Sequence, residues 1–340
     1  MKNLSRTCVF LFMIALASHG STAAEPGPVL GISGDRLTVD GASRFLVLVA
    51  YFDGLRASSE TLESDFRVLR VLGVDGLRVF PNWWQWSDMK RFPDDTVMDG
   101  QGDVRPERLA KLKALLDLAA KHGLVVDVSF AYETVGGLSD LREEQLGVGQ
   151  GALPVNQLHV DDYERGLVSL AMELKSYRNI FFDIQNEYNG RITHLSDEEV
   201  TRFAKAIKAV DPERIVSASL ANEIGPEHVA KKAEVCALDL VNWHESRNPW
   251  QFAAMDALVQ RAKAVSSKPV YLGEPAYMGD EYSVDDFAMA VAKSKSGGAA
   301  AWTFHTQNGF DLGGAGLMAQ LTRNERAFLG RLKETLGETE

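Results

Sequence analysis

Two acidic residues stand where a purely structural sequence has little use for them. Glu187 closes the run Phe181-Phe-Asp-Ile-Gln-Asn-Glu187, and Glu274 closes Val270-Tyr-Leu-Gly-Glu274. Each run reads as a buried strand, and a carboxylate at the end of such a strand is costly unless it is paired or used. Two carboxylates brought to one rim at ~5–5.5 Å would suit double displacement at the anomeric carbon of a sugar, one acting as nucleophile and the other as acid and base.

The other strand-like runs end on residues of the same chemical kind. They supply Asp53, Arg78 with Asn82, Tyr132 and Glu133, Asn186, Asn222–Glu223, His244–Glu245, Trp302 and His305. Carboxylates move protons, amides bind hydroxyls, and an aromatic face can carry a pyranose ring. Each residue also has a plainer reading. Glu187 could be a helix N-terminal or salt-bridging residue, Glu274 a structural carboxylate before Pro275, and His244 a satisfied core histidine. Asn222–Glu223 is an Asn–Glu pair of the same type and could supply the acid instead. Glu133 and Glu245 read as rim carboxylates that bind substrate hydroxyls. Trp83, Trp84 and Trp86 either pack a loop or stack on sugar rings. Arg78 lies amid apolar neighbours and needs an anionic partner.

These residues need a scaffold that collects strand ends. Apolar runs recur near residues 45–51, 76–80, 124–130, 180–184, 214–219, 238–243, 269–273 and 299–304. Amphipathic helical patterns lie between them, clearest over 106–122, 163–176, 197–210, 252–265 and 283–294, with Gly123 and Gly297 near two of the stops. Continuous apolar strands fit a parallel sheet covered on its outside. Eight such units predict an α/β fold, a (β/α)8 TIM barrel, with chemistry at the C-terminal ends of the strands. An open doubly wound sheet would carry a glycine-rich phosphate turn after its first strand, which Tyr51-Phe-Asp-Gly-Leu-Arg56 does not supply. Residues 25–44 predict a short β-hairpin, turning at Asp40–Gly41, across the barrel floor. The chain from 25 to 340 reads as a single domain, and the polar tail from Lys333 is expected to fray.

The ordered set resembles the clan A glycoside hydrolases, most nearly the cellulase-like branch, family five. The residues that carry the resemblance are Arg78 on the second strand, Asn186–Glu187 after the fourth, His244 on the sixth, Glu274 closing the seventh and Trp302 on the eighth. The resemblance spans about Phe45 to Phe304. It implies a retaining mechanism on β-glycosidic bonds of a glucan- or mannan-like oligo- or polysaccharide, with Glu187 as acid/base and Glu274 as nucleophile. It further implies that Asn186 binds the 2-hydroxyl and that Arg78 holds the nucleophile ionised. The chain departs from many relatives on the third strand, where Val-Asp-Val-Ser-Phe replaces a histidine-bearing run, and at Ser246, where a tyrosine is common. The expected substrate-binding set is Arg78, Asn186, His244, Trp302, Trp83, Trp84, Glu133 and His305. A non-catalytic carbohydrate-binding relative and a transglycosylase would use the same cleft.

Composition bounds the rest. The chain has 340 residues, a formal net charge of −11 and 45% hydrophobic residues. An acidic balance argues against nucleic acid or an anionic membrane surface as partner and is neutral toward an uncharged sugar. The seven histidines are scattered, with no His-x-x-x-His, no phosphate loop and no Gly-x-Ser-x-Gly elbow, so no metal or cofactor is expected. A sugar-phosphate barrel enzyme would need a phosphate-binding glycine pair after its last strands, but Ser296-Gly-Gly-Ala precedes the eighth. A monomer is expected.

Lys2 and Arg6, the apolar run from Cys8 to Ala17 and the small residues up to Ala24 have the order of a secretory signal peptide over residues 1–24. The apolar run is short of the ~20 residues that a membrane span needs. Export to the periplasm or the medium is therefore expected, with Cys236 as the only thiol of the processed chain and no intramolecular disulfide. Mass measurement of protein recovered from its native host should give a chain starting near Ala24 or Glu25; an intact Met1 or Lys2 terminus would overturn this.

Overall fold

The computed structural model describes residues 27–82, 96–130, 160–189, 195–221, 225–244, 249–275, 282–305 and 312–338. Three short antiparallel strands open the chain: β1 (Leu30–Ser33), β2 (Arg36–Val39) and β3 (Ala42–Arg44). Eight parallel strands follow: β4 (Leu46–Tyr51), β5 (Gly76–Val79), β6 (Val125–Ser129), β7 (Ile180–Asp183), β8 (Ile215–Ser217), β9 (Val241–Trp243), β10 (Val270–Leu272) and β11 (Ala301–Phe304). Their spatial order is β8-β7-β6-β5-β4-β11-β10-β9. A parallel bridge between Leu220 and Trp243 joins the two ends, where His244 N–H donates to the Leu220 carbonyl at 2.9 Å. The sheet is thus a closed (β/α)8 barrel, and all eight strands are the ones the apolar runs predict.

The helices begin and end where local chemistry satisfies free backbone groups. Ser196, Ser283 and Thr322 each close a capping box with an acidic residue three positions on. Pro106 and Pro226 occupy first-turn positions, where no N–H is missed. Gly298 adopts φ 87 after the helix Val284–Gly297 and carries the chain back into β11. The predicted helices are all present. Two more precede β5 and β9, Ser59–Val71 and Pro226–Val235. The C-terminal tail differs from expectation. It forms a helical turn, Leu332–Thr335, and Lys295 Nζ donates to the Leu336 carbonyl at 2.8 Å, so the chain is docked up to that point.

Strand alternation sorts side chains into two layers. Outward residues such as Val47, Val49, Val126, Phe182 and Trp302 join the helices in the main core. Inward residues form a floor of Leu46, Leu48, Val125, Phe181, Ile215, Leu240 and Ala301, closed from below by Leu30 and Leu37. The predicted hairpin is therefore a three-stranded sheet with a second turn at Gly34–Asp35, and it does seal the barrel floor. Among the described residues no helix is long and apolar enough to cross a membrane.

Phe181 sits in this floor with its ring edge-on to Tyr271 at 5.5 Å. Phe181→Ala should lower unfolding stability by about 3–5 kcal/mol, read as a lower denaturant midpoint. A loss under ~1 kcal/mol would show that the floor collapses to fill the gap.

Candidate active site

Above the apolar floor the inward positions turn polar. Arg78 on β5 has no solvent exposure. Its Nη1 donates to Glu274 Oε1 at 2.6 Å. Its Nη2 is placed to donate to Asn186 Oδ1 at 2.6 Å, Ser129 Oγ at 3.0 Å and Asp183 Oδ2 at 3.1 Å. Its Nε lies 3.2 Å from Asp127 Oδ2. Burial opposes the charge on the guanidinium, but Glu274, Asp127 and Asp183 outweigh it and raise the pKa further. One fixed cation thus ties the ends of β6, β7 and β10 together.

Glu274 is buried at the end of β10. Besides Arg78 it meets His244 Nδ1 at 3.6 Å and His305 Nε2 at 3.7 Å. Gly273 before it has a steric reason: a Cβ there would lie 2.7 Å from Asn242 Oδ1 and 2.8 Å from His244 Nε2. The missing side chain lets the histidine ring lie against the strand end.

Glu187 lies on the rim after β7 and is partly exposed. Its backbone is left-handed, with φ 48, an uncommon conformation that costs about 1–2 kcal/mol outside glycine. The end of β8 holds it there. Glu187 N–H donates to Ser219 Oγ at 3.0 Å, and Tyr188 N–H donates to the Ser219 carbonyl at 3.1 Å. The Glu187 carboxylate reaches His244 Nδ1 at 3.1 Å. Glu187, His244 and Glu274 each offer one atom within 4.8 Å of the others.

The predicted residues divide into three groups. Arg78, Asn186, Glu187, His244, Glu274 and His305 come together at one end of the barrel. Trp302 does not. It points outward from β11, fully buried, with its ring 6.0 Å from Phe328 and 6.3 Å from Phe304. On β11 it is the inward neighbours Ala301 and Thr303 that share the interior, so strand parity excludes Trp302 as a sugar platform. Trp83, Trp84, Trp86, Tyr132, Glu133, Asn222, Glu223 and Glu245 lie outside the described residues. Cys236 is buried and free, as an inert thiol should be.

Two acids were not foreseen. Asp127 and Asp183 sit within β6 and β7, both without solvent exposure. Asp183 accepts from Arg78, from the Ser129 and Ser219 hydroxyls and from Ser219 N–H. Burial pushes the Asp127 carboxyl well above the usual carboxylate range, Arg78 pulls it down, and Asp183 pushes it up. The signal was present: each is a lone acid inside an apolar strand.

The Glu187–His244–Glu274 group is also the one cluster among the described residues with the spacing of a cation site. The Glu274 oxygen nearest His244 is Oε1, already bonded to Arg78. A second positive charge would press against that guanidinium, so the donor set suits a polarised organic substrate better than a metal ion.

No family model and no curated protein sequence matches the chain. Solved structures share its fold. A glycoside hydrolase from Bacteroides vulgatus, described as putative, superposes with TM-score 0.67 at 12% identity, over 92% of this chain and 62% of that one, so this chain spans less than two thirds of its length. An endo-1,4-β-mannanase from Rhizomucor miehei gives TM-score 0.64 at 13% identity, over 92% of this chain and 100% of that one. A GH5_18 protein from Streptomyces cattleya in complex with GlcNAc gives 0.57 at 17% identity, over 87% and 82% of the two chains. The barrel is thus one shared with glycoside hydrolases, family-five members among them.

Arg78→Met would leave three buried carboxyl groups without their cation, and breaking such a contact costs about 3–5 kcal/mol. Those that are charged would then sit buried without a counter-charge, and taking up a proton in the folded state relieves that cost. An acid whose folded-state pKa is raised destabilises the fold as pH climbs above its unfolded value. The variant should therefore melt far below the wild type at neutral pH and close part of that gap in mild acid. A gap independent of pH would show that Arg78 acts through packing alone.

Proposed function

We propose that this protein is a retaining glycoside hydrolase acting on β-glycosidic bonds of a mannan- or glucan-like oligo- or polysaccharide. The observation that carries the reading is the pairing of Glu187 with Glu274. Their carboxylate oxygens approach within 4.8 Å around His244, and one of them is bound to a buried guanidinium. Retaining pairs stand ~5–5.5 Å apart, whereas inverting pairs leave ~6.5–9.5 Å for a water. The shared barrel and the mannanases among its structural neighbours support the substrate class.

In this mechanism Glu274 is the nucleophile. Arg78 donates to Oε1 at 2.6 Å, which orients the group and favours its carboxylate form. Glu187 gives its proton to the glycosidic oxygen as that bond to the anomeric carbon breaks. Glu274 forms the new bond to the carbon, and the leaving sugar departs with the proton. Glu187, now a carboxylate, takes a proton from water, the water oxygen attacks the anomeric carbon, and the bond to Glu274 breaks. His244 Nδ1 lies between the two carboxylates, 3.1 Å from Glu187 Oε1 and 3.6 Å from Glu274 Oε1. Asn186 uses its Oδ1 on Arg78 and leaves Nδ2 buried without a partner among the described residues, a donor suited to the sugar's 2-hydroxyl. The N-terminal pattern of residues 1–24 adds that the enzyme works outside the cytoplasm.

The test is a screen of β-mannan, β-glucan and aryl β-glycosides with active-site variants. Glu274→Ala should abolish turnover. Glu187→Ala should retain its first step on substrates with very good leaving groups, and added azide should then yield a β-configured glycosyl azide. An α-configured product, or full activity in Glu274→Ala, would end the retaining reading.

A further inference from the structure

Two carboxyl groups in contact with Arg78, those of Asp127 and Asp183, take no part in the steps above. Asp127 lies opposite Arg78 in the β5–β6 register and is wholly buried. Its surroundings differ from those of the other two acids. Asp183 accepts four hydrogen bonds, at 3.1, 2.9, 3.0 and 2.9 Å. Glu274 accepts a 2.6 Å bond from Arg78. Asp127 accepts one, on Oδ2 from the Tyr271 hydroxyl at 2.8 Å. Arg78 Nε approaches the same oxygen to 3.2 Å but lacks the direction of a hydrogen bond, and Asp127 Oδ1 is buried with no partner among the described residues. Several donors stabilise an anion; one donor and a bare oxygen do so poorly.

The charge count leads to the same acid. One guanidinium faces three carboxyl groups, and full ionisation would leave two uncompensated charges out of water. A proton on one group relieves this, and Asp127 has a place for it. The Tyr271 hydroxyl lies 2.8 Å from Asp127 Oδ2 and 2.7 Å from Thr303 Oγ1. A proton on Oδ2 is donated to Tyr271 Oη, and the Tyr271 hydroxyl donates onward to Thr303. Oδ1 then becomes a neutral carbonyl oxygen, far cheaper to bury unpaired than a charged one.

We propose that Asp127 is a neutral carboxylic acid in the resting protein, hydrogen-bonded through its proton to Tyr271. It is a positioning residue that leaves the charge of Arg78 to Asp183 and Glu274. The charged or titratable groups facing it are Arg78 from β5, Asp183 from β7, and Tyr271 and Glu274 from β10 and its end. Burial raises the Asp127 pKa, Arg78 lowers it and Asp183 raises it, in accord with this state. Only the kinetic arm of the test rests on the hydrolase reading.

The spectroscopic arm needs no substrate. In the whole protein carrying 13C at the aspartate side-chain carboxyls, one resonance should keep its protonated position at neutral pH. It should vanish in Asp127→Asn and move in Tyr271→Phe, so either variant assigns it. A wild type with every aspartate ionised, or a protonated resonance that survives Asp127→Asn or ignores Tyr271→Phe, overturns the proposal. In the kinetic arm, Asp127→Asn replaces a neutral group by a neutral group, so the acidic limb of kcat/KM should move by less than ~0.3 unit. A move of about one unit to lower pH would reveal a lost negative charge and overturn it. Absence of any glycosidase activity would remove the functional reading and leave the resonance test standing.

Discussion

One buried guanidinium organises this barrel. Arg78 has no contact with solvent, yet it touches carboxyl groups from β6, β7 and the end of β10. Taking so many charges out of water is costly, and mutual attraction repays it only when the remaining hydrogen-bonding groups are satisfied. Ser129 and Ser219 supply donors to Asp183 for that purpose, and Asn186 supplies an acceptor to Arg78. Asp127, Ser129, Asp183, Asn186 and Glu274 gather around that one charge.

The apolar floor makes this arrangement possible. Leu30 and Leu37 close the barrel from below against Phe181 and Leu240, so the polar tier faces water only at its upper rim. Low polarity beneath strengthens each electrostatic contact above it, for better and for worse. It fixes Glu274 against Arg78 and also makes three ionised acids around one cation untenable. The same environment that orients Glu274 therefore favours a proton on Asp127, whose Oδ1 has no partner among the described residues.

Glu187 obeys a different constraint. It stands on the rim, partly exposed, in a left-handed backbone conformation. Ser219 holds that turn through both its hydroxyl and its carbonyl, and the same hydroxyl donates to Asp183. The two carboxylates of the pair are thus connected through one small network: Glu274 to Arg78, Arg78 to Asp183, Asp183 to Ser219, Ser219 to Glu187. A connected network of this kind fixes the two side chains relative to one another.

The chain by itself determined the barrel. Eight apolar runs separated by amphipathic helices leave a closed parallel sheet as the natural way to bury both strand faces, and the eight strands fall on those runs. Strand ends are also legible, because a Glu finishing a buried strand needs a reason, and this brought Arg78, Glu187, His244, Glu274 and His305 to one rim. Tertiary structure alone decided what lay within the strands. Asp127 and Asp183 look like isolated polar interruptions until neighbouring strands are set in register and aim them at Arg78. Trp302 looks like a sugar platform until the parity of β11 turns it outward against Phe304 and Phe328. A strand shows its period in sequence, but which face is the interior depends on its neighbours, and a one-residue change of register exchanges the two.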